Sequence, residues 1–207
     1  MIHLYAFAHG LRSLPAERGV GGELLDREDL GGVDAVVGEL HEAVAADAES
    51  AVAHGRVVEA LVPCADAVLP VRFGRPFASR EALREAAAPQ LAGIRERLLR
   101  VRGCVEVAVR FAEDGREPLR RDDGASYLRE LARRNAAAEA IHAALEERAV
   151  AGRLEHTGRL FRAAYLVRRP EVEAFARHVD RVAETHGDAT LVCTGPWAPY
   201  SFAEERA

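Results

Sequence analysis

Residues 160–194, LFRAAYLVRRPEVEAFARHVDRVAETHGDATLVCT, decide the fold class because they predict a strand, a helix and a second strand in close succession. The apolar run at 160–167 predicts the first strand. Pro170 suits the first turn of the helix, and Gly187 ends it. The helix is predicted to bury Val172, Phe175, Val179 and Val182. A second apolar run at 189–194 completes a pattern that fits half of a ferredoxin-like α/β sandwich.

The segment 113–124 is the predicted domain boundary, because it is charged, contains glycine and lacks apolar periodicity. It separates an N-terminal α+β domain, 1–112, from a C-terminal domain, 125–207, which ends in a docked aromatic tail. Residues 125–151 predict the longest helix. Its inward-facing positions are predicted to be Leu128, Leu131, Ala138, Ile141, Leu145 and Ala149. The predicted fold is therefore α+β, with two two-layer sandwiches of which the second is a modified ferredoxin-like domain.

The N-terminal domain is predicted to place several strands around two helical regions. Ser79 is a candidate N-cap, and Pro89 should kink or divide the helix that follows it. The strand that contains Pro70 should lie at a sheet edge or end there. The predicted strands are 2–8, 23–26, 33–37, 67–73 and 104–111, and the first predicted helix is 50–62.

The charge balance excludes some classes of partner. The chain has a net charge of −5, and arginine supplies every basic residue because there is no lysine. No basic field is available to hold a nucleic acid backbone. No apolar run approaches the roughly 20 residues of a membrane-spanning helix. The N-terminus also lacks the layout of a signal peptide, so we expect a cytoplasmic protein without a nucleic acid or membrane partner.

Side chains that could perform catalysis or bind a metal are not grouped in the sequence. The glycine-rich stretch 19–22 lacks the lysine and the following helix of a phosphate-binding loop. Cys64, Cys104 and Cys193 are expected to be buried free thiols. The histidines, His54 among them, are expected at the surface. We therefore predict no catalytic residues, no cofactor and no metal site.

Two segments contain the candidate partner-binding residues. In the run V-L-P-V-R-F-G at 68–74, Arg72 could form an internal ion pair or contact a partner protein together with Phe73. The tail G-P-W-A-P-Y-S-F at 195–202 places three large aromatic residues near the end of the chain. Its two prolines predict an extended segment that docks on its own domain or on a partner. We expect Trp197 to pack internally, and Tyr200 and Phe202 to be available for a partner.

These two runs, in this order and about this far apart, resemble the gas vesicle protein F/L family (GvpF/GvpL). The opening strand with Tyr5 and the A-A-Y-L-V strand at 163–167 match the same family, so the resemblance covers essentially the whole chain. The chain departs from the family pattern at Ala198, where a second proline is common, and at 75–77.

The resemblance implies an accessory or minor structural protein of gas vesicle assembly. Its partners would be the small hydrophobic shell protein, gas vesicle protein A, and other gas vesicle accessory proteins. It would be associated with the vesicle or incorporated in its shell, and would assist shell nucleation or growth without catalysis. The alternative function is a ligand-sensing ferredoxin-like regulatory module, also without catalysis.

Overall fold

The computed structural model describes residues 1–113, 124–157, 160–186 and 189–203, which form two compact units. The first unit combines Met1–Val105 with Trp197–Ala207, and the second is Glu106–Pro196. The chain thus enters the second unit at residue 106, earlier than the predicted boundary at 113–124. Most of that predicted boundary, 114–123, lies outside the described residues.

The elements follow one another along the chain as a mixture of helices and strands. The strands are β1 Ile2–His9, β2 Leu25–Asp29, β3 Asp34–Glu39, β4 Ala67–Pro70, β5 Pro76–Phe77, β6 Cys104–Glu113, β7 Ala151–Thr157, β8 Leu160–Arg168 and β9 Ala189–Trp197. The α-helices are α1 Ala48–Leu61, α2 Arg80–Ala87, α3 Leu91–Val101, α4 Gly124–Glu146, α5 Val172–Thr185 and α6 Tyr200–Ala203.

The first unit is a sheet with helices packed on it. The strand order is β2-β3-β1-β4, β5 also pairs with β1, and the pairs are antiparallel. The register of β1 against β3 shifts between Leu4 and Ala6. Such an irregularity redirects side chains locally, and Tyr5 lies at this point with its ring fully buried. Buried residues of β1, β3, β4 and α1 form the core.

The helix boundaries of the first unit follow local signals. Asp47 accepts a hydrogen bond from the Ser50 N–H at 2.8 Å and caps α1. Ser79 accepts one from the Ala82 N–H at 3.2 Å and caps α2, as predicted. Pro89 lies in a 3₁₀ turn that separates α2 from α3, which agrees with the predicted division of this helix.

The second unit is ferredoxin-like, which confirms the predicted fold class. Its elements run β6-α4-β7-β8-α5-β9, and the sheet order is β7-β8-β6-β9. This is the βαββαβ plan of that fold. Strand β6, which the sequence analysis assigned to the N-terminal domain, supplies its first strand. The core contains Val107, Val109, Phe111, Ile141, Leu145, Phe161, Tyr165, Phe175 and Val179.

Three expectations for the second unit need correction. Helix α4 ends at Glu146 and is followed by β7, a strand that the sequence analysis missed. Leu128 is 65% exposed and Leu131 is also exposed, because the buried face of α4 lies in its C-terminal half. Cys193 is exposed on β9, which is an edge strand.

The tail also differs from the prediction. Strand β9 continues to Trp197, and the short helix α6 then replaces the expected extended segment. Pro199 immediately precedes this helix, and its restricted φ is compatible with a helix start. Residues 197–203 of the tail belong to the first unit, whereas the sequence predicted a tail docked in the C-terminal domain. Among the described residues, no helix has the length and apolar character needed to cross a membrane.

Candidate functional site

The two sequence motifs meet in the first unit. Strand β4 contains the first part of the run at 68–74, and the motif loop, residues 71–74, follows it directly. The part of the tail that belongs to the first unit, residues 197–203, is called the tail from here on, and it ends in helix α6, which contacts both β4 and α3. Residues separated by more than 120 positions thus form one candidate site.

Buried polar groups hold the motif loop from beneath. The Val71 N–H donates to the Tyr5 carbonyl oxygen at 3.0 Å. The Val71 carbonyl oxygen accepts from His54 Nε2 at 2.8 Å. The Phe73 ring lies 5.6 Å from the His3 ring and 5.7 Å from the His54 ring, measured between centroids. These contacts fix the backbone of the loop and leave Arg72 exposed.

The geometry of the two histidines fixes where their protons reside. His54 Nε2 faces a carbonyl oxygen and must carry a hydrogen, so its Nδ1 is the acceptor for His3 Nε2–H at 2.9 Å. Burial, and then the neighbouring His54, lowers the pKa of His3 to about 4. Burial also lowers the pKa of His54. Both rings are therefore neutral at pH 7.

The glycine-rich stretch 19–22 serves the same network. The Tyr5 hydroxyl donates to Glu23 Oε1 at 2.5 Å and accepts from the Val20 N–H at 2.8 Å. Glu23 Oε2 accepts from the Gly21 N–H at 2.8 Å. Burial, followed by the hydrogen bond to Glu23, raises the pKa of Tyr5. A Cβ added at Gly19 would collide with both the Tyr5 hydroxyl and the Glu23 carboxylate, so this position requires glycine.

Two charged side chains hold the tail at its two ends. Both carboxylate oxygens of Glu59, on α1, lie 3.0 Å from the N–H of Ala198, which is fully buried. Arg97 Nη1, on α3, donates to the Ala203 carbonyl oxygen at 2.8 Å. Burial raises the pKa of Glu59, and the Ala198 N–H opposes that shift. The tail is therefore an integral part of the first unit.

Two of the three aromatic residues of the tail, Trp197 and Phe202, occupy positions opposite to those expected, whereas Tyr200 is exposed as expected. Phe202 is 3% exposed, whereas Trp197 is 45% exposed and Tyr200 is 37% exposed. A buried ring offers no surface to a partner, so the assignment of Phe202 as a contact residue is corrected. Trp197, which was expected to pack internally, takes its place beside Tyr200 as an exposed aromatic residue.

A groove lies beside the motif loop, between it and helices α2 and α3. Its volume is about 150 Å³, and the end of the tail at Ala203 forms part of its wall. Its apolar lining comprises Leu4, Phe7, Leu69, Pro70, Val71, Phe77, Leu83, Ala86, Ala87 and Ile94. Among the described residues, the charged members of its lining are Arg72, Arg75 and Arg97, with no aspartate or glutamate.

The structure brings together residues that the sequence analysis did not select. His54 was expected at the surface, although it lies one turn before Val57 and Val58 on the buried face of α1, and that spacing was a usable signal. No local pattern indicates that His3, Glu59 or Arg97 has a partner far along the chain. Arg72 follows β4 rather than lying within it, and Phe73 is half-buried against the histidines.

The side chains of this site divide into an internal network and an outward-facing set. Within the part of the chain that the structure describes, no group of three His, Cys, Asp or Glu side chains is placed to hold a metal ion. The Tyr5–Glu23 and His3–His54 pairs lie beneath the motif loop and are occupied by internal hydrogen bonds. The outward-facing groups are guanidiniums, aromatic rings and an apolar groove.

Comparisons with known proteins give one consistent result. A family model described as "Gas vesicle synthesis protein GvpL/GvpF" matches residues 1–131 and 119–204. The chain is 27% identical over 154 residues to gas vesicle protein F2 of Halobacterium salinarum, across 73% of this chain and 67% of that protein.

Two crystal structures of other proteins share the fold. The gas vesicle protein GvpF from Anabaena sp. PCC7120 matches with a TM-score of 0.83 and 19% identity, across 100% of this chain and 97% of that chain. The gas vesicle protein GvpF from Microcystis aeruginosa matches with a TM-score of 0.78 and 18% identity, across 99% of both chains.

Proposed function

The chain belongs to the GvpL/GvpF family of gas vesicle synthesis proteins, and we propose that it is an accessory or minor structural protein of gas vesicle assembly. It binds the hydrophobic shell protein, gas vesicle protein A, and assists nucleation or growth of the shell. The observation that carries this proposal is the family match, because it extends over both structural units.

The physical problem of shell assembly favours such a binding protein. Subunits with large apolar surfaces aggregate before they are incorporated into an ordered array. A partner that contacts these surfaces needs exposed apolar groups on a rigid support, and it needs no reaction chemistry. Trp197 and Tyr200 supply such groups, because Glu59 and Arg97 hold the tail that presents them.

The proposed contact surface is the motif loop together with the tail. Its contact residues are Arg72, the exposed edge of Phe73, Tyr200 and Trp197. The protein acts by binding, at the vesicle or within its shell, alongside other gas vesicle accessory proteins. It needs no cofactor for this role.

A binding assay with the shell protein tests the proposal. The tagged chain should retain detergent-solubilised shell protein on a column, and deletion of its gene from a gas vesicle cluster should reduce or abolish vesicles. Tyr200→Ala should weaken retention. Leu99→Ser, which removes an apolar side chain that is 64% exposed elsewhere on the first unit, should not. Equal retention of both variants would indicate nonspecific adhesion, and no retention of the unaltered chain would refute the proposal.

A further inference from the structure

We propose that the groove beside the motif loop receives one large apolar side chain of the shell protein, from a segment that also carries a carboxylate. This inference rests on the proposed function and specifies the chemistry of the segment that is recognised. The arginines at the groove contact the carboxylate, and the apolar walls hold the anchor side chain.

The size of the groove sets the size of the anchor. A volume of about 150 Å³ matches cavities that hold a benzene-sized molecule. It therefore fits a single phenylalanine, leucine or isoleucine side chain rather than a whole helix. The walls include Leu83, Ala87 and Ile94, which are buried core residues of α2 and α3. An anchor side chain that packs against such apolar walls is the typical arrangement of a binding hot spot.

The charge of the groove predicts which kind of residue lies beside the apolar anchor in the shell-protein segment. The chain as a whole has a net charge of −5, yet the charged side chains that line this groove are all arginines within the part of the chain that the structure describes. Arg97 is engaged by the Ala203 and Gly93 carbonyl oxygens. Arg75 forms no hydrogen bond or ion pair with a described residue, and Arg72 lies close by in sequence on the exposed motif loop. A carboxylate beside the anchor complements this cluster of positive charges.

The two sequence motifs build the two sides of the groove. The motif loop forms one side, and its backbone is fixed by His54 and by the Tyr5 carbonyl oxygen. The end of the tail contributes to the other side, where Arg97 holds Ala203. The pocket is therefore formed before the partner arrives, which lowers the entropic cost of binding.

Variants with matched controls test the groove. The probes are detergent-solubilised shell protein and an array of overlapping peptides that covers its sequence. Arg72→Glu combined with Arg75→Glu should weaken binding about tenfold. The control combines Arg18→Glu with Arg56→Glu, which gives the same change in net charge at exposed positions outside the groove. This control should stay within about twofold of the unaltered chain.

A second variant tests the apolar anchor independently. Ala86 is exposed on α2 and lines the groove, so Ala86→Phe should fill the groove with little change in melting temperature and should weaken binding. The peptides that bind should share a large apolar residue within a few positions of an aspartate or glutamate. Their binding should weaken with added salt, and less so for the double arginine variant.

The outcomes separate this inference from the proposed function. If the unaltered chain fails to bind shell protein, the proposed function is wrong. If it binds, and both the double arginine variant and Ala86→Phe bind equally well, the groove assignment is wrong. A chain that ends at Ala203 should bind no more tightly than the full chain. Tighter binding would make residues 204–207 the occupant of the groove and would overturn the assignment.

Discussion

Replacing Phe202 by alanine should destabilise the first unit, although only five residues follow Phe202 in the sequence. The reason is its burial, since it is 3% exposed. Trp197, in the same tail, is 45% exposed and serves as the matched comparison. The two substitutions therefore separate the structural role of the tail from its proposed role in binding.

The expected size of the effect follows from the buried area. A phenylalanine side chain buries about 200 Å² when fully enclosed, and at about 25 cal/mol per Å² this corresponds to about 5 kcal/mol. The alanine methyl retains part of this area, so Phe202→Ala should cost about 3–4 kcal/mol, within the usual range for such substitutions. Trp197→Ala leaves a gap that solvent can fill, and its cost should be at most about half as large.

Amide hydrogen exchange measures the loss of stability in each unit separately. Separate values are necessary because a chain with two units need not unfold in one step. Phe202→Ala should reduce protection of β1 and β3 and leave β7 and β8 unchanged. Trp197→Ala should reduce protection of the first unit at most half as much as Phe202→Ala does, and should weaken shell-protein binding. A loss below about 1 kcal/mol in the first unit, or a loss confined to the second unit, would refute the assignment of the tail.

Three further predictions concern the polar contacts of the first unit. Since burial lowers the pKa of His3 to about 4, the unfolded chain takes up a proton between about pH 6.5 and pH 4 that the folded chain does not. The free energy of unfolding should therefore fall by up to about 3 kcal/mol across this range, and urea titrations at several pH values measure the loss. If the free energy of unfolding of the first unit did not change with pH, the proposed arrangement of the two histidines would be wrong. Glu59→Ala should lower the free energy of unfolding by about 1–3 kcal/mol, because the buried Ala198 N–H loses its acceptor. Glu59→Gln keeps an acceptor oxygen and should lose much less stability in the same titration. If Gln and Ala behave alike, the hydrogen bond is not the cause. Gly19→Ala should lower the melting temperature of the first unit, because the added methyl collides with Tyr5 and Glu23. Gly93→Ala, in the same unit, is the control because no atom lies within 4 Å and φ is not positive there, and it should not lower the melting temperature.

Local patterns in the sequence predict the fold class and most elements of the structure. The apolar spacing of α5 and the run of β8 indicate two-layer α/β packing, because their periodicities report which face is buried. Ser79 and Pro89 mark helix boundaries by effects that act within a few residues. The order of the elements then identifies the second unit as ferredoxin-like.

Features that depend on distant contacts were missed or misplaced. Strand β7 contains few large apolar residues, and its state is set by pairing with β8 along its whole length. His54 is buried because His3, 51 residues earlier, and the Val71 carbonyl oxygen satisfy its nitrogens. Phe202 was misassigned because nothing near it in sequence shows that α1 and α3 provide partners for the tail.

The chain path explains why the tail and the motif loop belong to one site. Strands β6 and β9 are neighbours in the second sheet, and the Thr194 hydroxyl lies 3.5 Å from the Ala108 carbonyl oxygen. The chain therefore leaves the first unit along β6 and returns to it along the adjacent strand β9. The second unit is an insertion between residues 105 and 197 of the first. Because the tail follows the second unit in the sequence, the groove acquires its Ala203 side only after the whole second unit has been made. If the groove binds the shell protein as proposed, full binding requires a complete chain, and a fragment that ends at Val105 lacks one wall of the site.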